Sequence, residues 1–257
     1  LSRGETLTNE PRLAQQGLVG GAAYFDAATD DEGLTLATLR SAVELGAVAV
    51  NHALMEKPTT TSGRADGAIV RDMAGTDAAR VSSRIVVSAT GPWQAKGTKG
   101  SHVVVPRSRV DNHSAVTLIA PDDGRVMFVL PSGDRSIIGT TDIYTDESPD
   151  DVSASDAEIE YLLRTANHYF PDARLGRDDV LETWAGIRPL AAAPPGASPS
   201  SISREHQISL DAAGVVVVTG GKLTTYRSMA AEVVDEVEKR LSRKVRRAPT
   251  DTTPLPE

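Results

Sequence analysis

Segment 214–227 combines residue types that could bind an electron-rich group. It reads Gly-Val-Val-Val-Val-Thr-Gly-Gly-Lys-Leu-Thr-Thr-Tyr-Arg. The four valines predict a strand buried on both faces. Gly220 and Gly221 permit a tight turn, and a helix is predicted to begin near Leu223. Because the start of a helix presents unpaired N–H groups and a positive dipole end, and Lys222 adds a cation, this junction predicts a site for a group that is negative or becomes negative during a reaction.

Two further residues could carry acid–base and anion-binding chemistry. His102 lies at the mouth of a predicted strand, where imidazole could transfer a proton at neutral pH. A structural role is the more common one for a lone histidine. Ser101 is its neighbour, so the two side chains are expected on opposite faces of the strand, which argues against a Ser–His–acid triad. Arg188 lies between apolar residues and needs a carboxylate partner or an anionic ligand. Arg204 is more easily explained as one half of a surface ion pair.

A second predicted strand, 84–88, ends in small residues that would let a ligand approach the backbone. Ala89, Thr90, Gly91 and then Trp93 follow it. An ordinary strand followed by a turn is the competing interpretation, and it is slightly favoured. No G-x-G-x-x-G sequence follows a predicted strand, so the chain carries no dinucleotide-binding fingerprint.

Composition excludes several classes of function. The chain has 257 residues, of which 40% are hydrophobic, enough for a sizeable core. A net charge of −8 and only 4% aromatic residues argue against nucleic-acid binding. The absence of cysteine excludes disulfides and Cys-ligated zinc, and the five histidines show no metal-ligand spacing, so no metal site is expected. No apolar run approaches the roughly 20 residues that span a bilayer. The basic cluster between residues 239 and 247 is interpreted as a solvated helix end.

The pattern of elements predicts an α/β part interrupted by an α+β part. The first part has a helix starting at 30–32 with an apolar stripe of Leu36, Leu39 and Val43. Its strands are predicted at 20–25, 47–54, 68–71 and 84–88, with a turn-rich stretch at 58–67. The middle has short strands at 102–105, 116–119, 126–130 and 136–139, which suggest an antiparallel sheet. A capping box at 155–158 begins a helix, 191–201 is a loop, and the last helix, to about residue 242, has a predicted buried stripe of Tyr226, Ala230, Val233, Val237 and Leu241.

Seven short segments together resemble the FAD-dependent glycerol-3-phosphate dehydrogenases, of the larger D-amino-acid-oxidase-like flavoprotein group. They are 22–31, 89–93, 99–107, 138–142, 185–190, 203–206 and 220–227. Each segment alone is weak evidence for the resemblance, but seven segments in the family's order are specific evidence. The resemblance implies a partial FAD-binding Rossmann-like domain, 27–94 with 211–242, interleaved with a substrate domain, 17–26 with 95–210, that is built on a mostly antiparallel sheet. Residues 243–257 are then a basic tail or linker.

The resemblance also implies a reaction and a set of site residues. The reaction is oxidation of sn-glycerol 3-phosphate to dihydroxyacetone phosphate, with hydride transfer to FAD and quinone or oxygen as the final acceptor. His102 would be the general base and Arg188 would lie at the reacting carbon. Arg204 and Lys222 would be substrate-side cations. The implied FAD-binding residues are Ala89, Thr90, Gly91, Trp93, Gly220, Gly221, Leu223 and Thr224. His102, Arg188 and Lys222 are expected to converge on one anionic, redox-active pocket.

The chain departs from the family pattern in three places. The N-terminal strand–glycine-loop–helix that holds the FAD diphosphate is missing, the stretch between Trp93 and Lys99 is short, and the C-terminal helical domain is absent. With Leu1 in place of an initiator methionine, we expect a fragment of a longer protein, for which FAD retention and turnover stay open. The alternatives are a related FAD-dependent amine or 2-hydroxy-acid oxidoreductase, or a non-catalytic fragment without cofactor. The resemblance further suggests a cytoplasmic protein, with peripheral membrane contact and a homodimer as open expectations.

Overall fold

The computed structural model describes residues 1–90, 97–189 and 205–256. The chain divides into two compact units, each made of two stretches of sequence. The first unit comprises Leu1–Phe25 and Gln94–Ile202, and the second comprises Asp26–Trp93 and Ser203–Glu257. Residues 207–210 belong to the second unit because their strand pairs with a strand of that unit, whereas the sequence analysis placed them in the substrate domain.

The first unit contains a six-stranded antiparallel sheet. Its strands are β5 (Gly97–Pro106), β6 (Val116–Ile119), β7 (Val126–Ser132), β8 (Arg135–Gly139), β9 (Ile143–Thr145) and β10 (Glu182–Pro189). Their order is β10-β5-β8-β7-β6, and β9 pairs with β5. The predicted antiparallel sheet is therefore confirmed, and all four predicted strands lie within it. Strands β9 and β10 were not predicted from the sequence.

One face of this sheet is covered by helix α4 (Asp156–Tyr169). The predicted capping box is present: the Ser155 hydroxyl accepts from the Glu158 N–H, and the Glu158 carboxylate accepts from the Ser155 N–H. Ile159, Leu162 and Leu163 are buried in one core with Val103, Val105, Met127, Val129 and Ile138. Each such side chain contributes about 1.5–3 kcal/mol when fully buried. Because side chains alternate along β5, the even-numbered residues of that strand face away from α4.

Shorter helical elements complete the first unit. They are α1 (Arg3–Asn9), α3 (Arg107–Val110) and the 3₁₀ turns Pro171–Ala173 and Arg177–Asp179. The predicted strand at 20–25 is wrong, since only an isolated bridge joins Gly20 to Ser2. Within the described residues, no ladder extends beyond that bridge.

The second unit has two three-stranded sheets and two long helices. One sheet is antiparallel, with β1 (Ala53–Thr61), β2 (Arg64–Asp72) and β3 (Ala78–Ser82). The other has the order β11 (Gln207–Leu210), β12 (Val216–Thr219) and β4 (Val87–Ser88), in which β12 and β4 are parallel. The helices are α2 (Asp31–Glu44) and α5 (Tyr226–Arg240), with 3₁₀ turns at Leu223–Thr225 and Pro249–Asp251.

Several boundaries in the second unit differ from the prediction. The strand expected at 47–54 begins only at Ala53, and the stretch 58–67 forms the facing ends of β1 and β2 rather than one long turn. Pro58 is tolerated there because β1 is an edge strand. The strand predicted at 84–88 comprises only two residues, Val87–Ser88.

The two predicted helix stripes of the second unit are less buried than expected. In α2, Leu36, Leu39 and Val43 are exposed. In α5, Ala230 is exposed and the other stripe residues are half-buried. Amphipathic spacing identifies the face of a helix that can be buried, but the depth of burial depends on what packs against it.

Within 1–90, 97–189 and 205–256, no helix is both long enough and apolar enough to cross a bilayer. The loop predicted at 191–201 lies outside the described residues.

Candidate active site

The pairing of β10 with β5 places His102 and Arg188 on the same face of the first unit's sheet. In this antiparallel register Trp184 is opposite His102, Gly186 is opposite Gly100, and Arg188 is opposite Thr98. Residues two apart on a strand share a face, and this face is the one turned away from α4. The two predicted catalytic residues, 86 positions apart in the sequence, are therefore brought together by the sheet.

His102 lies against an aromatic ring and is half-buried. Its imidazole stacks on Trp184 with ring centroids 5.0 Å apart and an interplanar angle of 16°. A Cβ on Gly139 would lie 2.1 Å from Cδ2 of His102, so only glycine leaves space for the ring. Nδ1 is buried and has no hydrogen-bond partner within the described part of the chain. Burial, and secondarily the positive charge of Arg188, lower the pKa of His102 to about 4. The imidazole is therefore neutral at pH 7 and can accept a proton.

The guanidinium of Arg188 lies close against the backbone of β5. A Cβ on Gly100 would come within 2.4 Å of its NH2 and 2.7 Å of its central carbon. NH1 donates to the Thr141 carbonyl (3.2 Å) and to Oδ1 of Asp142 (3.2 Å), and NH2 donates to the Thr140 hydroxyl (3.0 Å). The segment 140–142 therefore orients the planar guanidinium through three hydrogen bonds.

Asp142 supplies the carboxylate that the sequence analysis required for Arg188. Its side chain is 4% exposed and lies 3.2 Å from Arg188 and 3.3 Å from Arg125. Arg125 in turn lies 3.6 Å from the half-exposed Asp123. The guanidinium groups of Arg188 and Arg125 therefore share one buried carboxylate. A guanidinium is also a preferred partner of oxyanions such as phosphate.

Ser101 lies on the other face of β5, as the alternation predicted. Its hydroxyl donates to Oε1 of Glu158 on α4 at 2.7 Å. The expectation that the Ser101 and His102 side chains lie on opposite faces of the strand is therefore confirmed. No group of three or more potential metal-ligating side chains occurs in the ranges that the structure describes.

In the second unit, the predicted strand–glycine–helix junction is present. β12 ends at Thr219, and Gly220 and Gly221 have φ values of 70° and 92°, in the region that favours glycine. Lys222 is exposed and leads into the Leu223–Thr225 turn, after which α5 begins at Tyr226. The α-helix thus starts three residues later than predicted. The turn has no side-chain cap among the described residues. The N–H groups of Thr225 and Tyr226 donate to the carbonyls of Lys222 and Leu223, so the unpaired donors expected at this start are the N–H groups of Leu223 and Thr224.

Ala89 and Thr90 leave the same sheet edge as this junction. They follow β4, which runs parallel to β12 with Val87 opposite Val216. The carboxyl ends of parallel strands lie at one edge of a sheet, which is where α/β folds bind ligands. Both residues are exposed. The structure thus groups two of the predicted cofactor-binding segments within the second unit.

Three predicted site residues, Gly91, Trp93 and Arg204, lie outside the described residues. His102 and Arg188 belong to the first unit and Lys222 to the second, so the convergence of these three residues stays a prediction.

Trp184 and Asp142 were not predicted from the sequence as functional neighbours. Asp142 lies within segment 138–142 and Trp184 directly precedes segment 185–190, but only the structure shows that Trp184 faces His102 and that Asp142 reaches Arg188.

Comparison with known proteins identifies the family. Residues 1–235 match the family model described as FAD dependent oxidoreductase. The aerobic glycerol-3-phosphate dehydrogenase of Staphylococcus saprophyticus is 34% identical over 256 residues, which is 94% of this chain and 46% of that protein. The enzyme of the same name from Bacillus subtilis is also 34% identical, over 255 residues, with the same coverage.

The solved structures agree with this family. The glycerol-3-phosphate dehydrogenase from Bacillus halodurans, complexed with FAD, superimposes with a TM-score of 0.88 at 33% identity, covering 97% of this chain and 51% of that one. The chain belongs to the FAD dependent oxidoreductase family, and the resemblance drawn from its seven segments is confirmed. It spans about half the length of the curated relatives that it matches.

Proposed function

We propose that the chain is part of a flavoprotein that oxidises sn-glycerol 3-phosphate to dihydroxyacetone phosphate. The observation that carries the proposal is the pair formed by His102 and Arg188 on one face of the first unit's sheet. A neutral imidazole beside a guanidinium suits the oxidation of an alcohol, in which a hydroxyl proton is removed while negative charge develops on oxygen. The similarity to glycerol-3-phosphate dehydrogenases over 94% of the chain supports this choice of substrate.

His102 is assigned the role of general base. Its low pKa keeps it unprotonated at neutral pH, so it can take the proton of the substrate's C2 hydroxyl. The positive charge of Arg188 is one cause of that low pKa. A bound phosphate or developing alkoxide next to Arg188 would offset this charge and raise the pKa of His102 toward the range suited to a base. Substrate binding would in this way strengthen the base that acts on the substrate.

Arg188 is assigned to the anionic part of the substrate or to the developing alkoxide. Its guanidinium is held in a fixed plane by segment 140–142, which suits the directional hydrogen bonds that oxyanions accept. Lys222 and Arg204 are proposed as further substrate-side cations.

The second unit is proposed as the FAD-binding domain, interleaved in chain order with the substrate domain. The uncapped helix start after Gly220 and Gly221 fits an electron-rich edge of a flavin, because it offers N–H donors and a positive dipole end. We assign the cofactor contacts to Ala89, Thr90, Gly91, Trp93, Gly220, Gly221, Leu223 and Thr224. Bound FAD supplies the two-electron acceptor, and quinone or oxygen then takes the electrons. Peripheral contact with the cytoplasmic membrane face and a homodimer stay predictions.

Titration with FAD followed by anaerobic addition of substrate tests the proposal. We expect flavin fluorescence to change on binding, and glycerol 3-phosphate to bleach the flavin absorbance while glycerol, which lacks the phosphate, does not. Arg188→Ala should retain FAD and lose the bleaching. An FAD-loaded protein that is bleached by an amine or a 2-hydroxy acid but not by glycerol 3-phosphate would refute the substrate. Failure of the chain to bind FAD would instead identify it as a non-catalytic fragment.

A further inference from the structure

Thr141 connects the Arg188 side of the sheet to the α4 side. Its carbonyl oxygen accepts a hydrogen bond from NH1 of Arg188 at 3.2 Å. Its hydroxyl donates to Oε1 of Glu158 at 2.8 Å and accepts from the Ser101 N–H at 2.9 Å. The residue is 3% exposed, so these bonds are shielded from water. One buried residue therefore joins the arginine to the first turn of α4.

The carboxylate of Glu158, which accepts the hydrogen bond from the Thr141 hydroxyl, is itself held by several partners. Its Oε2 accepts from the N–H (3.0 Å) and the hydroxyl (2.8 Å) of Ser155 and lies 3.0 Å from Nζ of Lys99. Lys99 in turn binds Glu147 at 2.7 Å and the Ser153 carbonyl at 3.1 Å. Burial alone would raise the pKa of Glu158, but the hydrogen bonds from Ser101, Ser155 and Lys99 outweigh burial and lower this pKa to about 2. Glu158 is consequently ionised at neutral pH, with both oxygens engaged in hydrogen bonds.

We propose that Thr141 is a positioning residue for Arg188 and that it acts through its bond to Glu158. Thr140 and Asp142, which supply the other described hydrogen bonds to the guanidinium, flank Thr141 in the chain. The bond from the Thr141 hydroxyl to α4 adds to two other contacts that hold this segment, the Thr141 N–H to the Ser101 carbonyl (3.3 Å) and Asp142 to Arg125 (3.3 Å). Losing the hydroxyl removes the bond to Glu158 and the bond from the Ser101 N–H, and it leaves in the chain the groups of residues 140–142 that contact Arg188. The expected effect on substrate binding rests on the proposed function. The expected effect on the order of the Arg188 side chain does not depend on it.

The Nε–H signal of Arg188 in an NMR spectrum of the protein tests the positioning. The signal is assigned by its loss in Arg188→Lys, and its order parameter and water exchange are measured without substrate. Thr141→Val keeps the shape of the side chain and removes the hydroxyl, whereas Thr141→Ser keeps the hydroxyl. Ser101→Ala is the matched control, because it removes a different hydrogen bond to the same Oε1 of Glu158 and leaves the Thr141 contacts in place.

We expect an ordered Arg188 signal in the unmodified protein, in Thr141→Ser and in Ser101→Ala, and a mobile, fast-exchanging signal in Thr141→Val. An Arg188 signal in Thr141→Val as ordered as in the unmodified protein would overturn the inference. Equal disorder in Thr141→Val and Ser101→Ala would overturn it too, since the cause would then be general loss of packing. If Thr141→Val does not fold, the smaller Thr141→Ala carries the same comparison with the same expected result.

The dissociation constant for glycerol 3-phosphate, measured by calorimetry on protein loaded with chemically reduced FAD, which cannot oxidise it, provides the functional readout. We expect it to rise about tenfold in Thr141→Val and to be restored in Thr141→Ser, which is the effect of weakening one hydrogen bond to a charged group. An unmodified protein that holds FAD but does not bind glycerol 3-phosphate would refute the proposed function, and the NMR comparison would still decide whether Thr141 positions Arg188.

Discussion

The low pKa of His102 makes a quantitative prediction about stability. Its imidazole has a pKa of about 4 in the folded protein against an ordinary value of 6.5. Below pH 6.5 the unfolded chain therefore binds a proton that the folded chain does not, so stability falls as the pH falls from 6.5 toward 4. A His102→Gln variant has no such group and should lack this part of the pH dependence.

The loss of unfolding free energy can be calculated from the shift in the pKa of His102. Between pH 7 and pH 5 a shift from 6.5 to about 4 corresponds to roughly 2 kcal/mol of unfolding free energy. His102 is only half-buried, so solvent screening reduces the expected value to about 1 kcal/mol. Glu158 and Asp66, whose pKa values are lowered to about 2 from 4.5 and 3.8, lose most of their contribution below pH 5, and both proteins share that loss. The difference between the two proteins therefore isolates the histidine.

Urea unfolding at pH 7 and pH 5, followed by tryptophan fluorescence, measures this difference. The chain has two tryptophans, so a Trp93→Phe background leaves Trp184, which stacks against His102, as the single reporter. We expect the unmodified histidine protein to lose about 1 kcal/mol more than His102→Gln over this range. Equal losses in the two proteins would refute the argument that His102 is buried in its neutral form beside Arg188.

Three other substitutions test the packing on the two faces of β5. Gly100→Ala should displace the Arg188 guanidinium, because the new Cβ would lie 2.4 Å from its NH2, and cost about 1–2 kcal/mol of unfolding free energy. Its control, Gly186→Ala on the facing strand, meets nothing within 4 Å and should be close to neutral. Lys99→Met should cost about 3 kcal/mol in urea unfolding, because it leaves the buried carboxylate of Glu158 without its cation; an unchanged midpoint would contradict the ion pair. Leu162→Ala should cost about 2–5 kcal/mol, and Leu181→Ala, at a side chain that is 55% exposed, should cost far less.

The parts of the fold that the sequence predicted are those determined by local chemistry. The capping box at Ser155 and Glu158 and the glycine pair after β12 are set by neighbouring residues, and the structure has both. The strands around His102 were visible because their alternation is short-range. The strand predicted at 47–54 was wrong in its bounds because the same alternation does not reveal where a partner strand begins.

The contacts that define the site depend on long-range register instead. Trp184 faces His102 only because β10 pairs with β5 across a separation of 82 residues. The sequence could show that Arg188 needed a negative partner, since a guanidinium among apolar residues is costly. It could not choose between a carboxylate of the chain and a ligand, and the structure supplies Asp142.

The side chains of β5 alternate between two faces of the sheet, and the two faces have different roles. Lys99, Ser101 and Val103 face α4, where they are buried by ion pairing, hydrogen bonding and core packing. Gly100 and His102 face the other way and meet Arg188 and Trp184. Substitutions at the first set should therefore act mainly on unfolding free energy, and substitutions at the second mainly on the arrangement of the site. Thr141 departs from this division because its hydroxyl belongs to the α4 side and its carbonyl to the Arg188 side. Loss of the buried hydrogen bond from the Thr141 hydroxyl to Glu158 should therefore change both the unfolding free energy and the arrangement of the site.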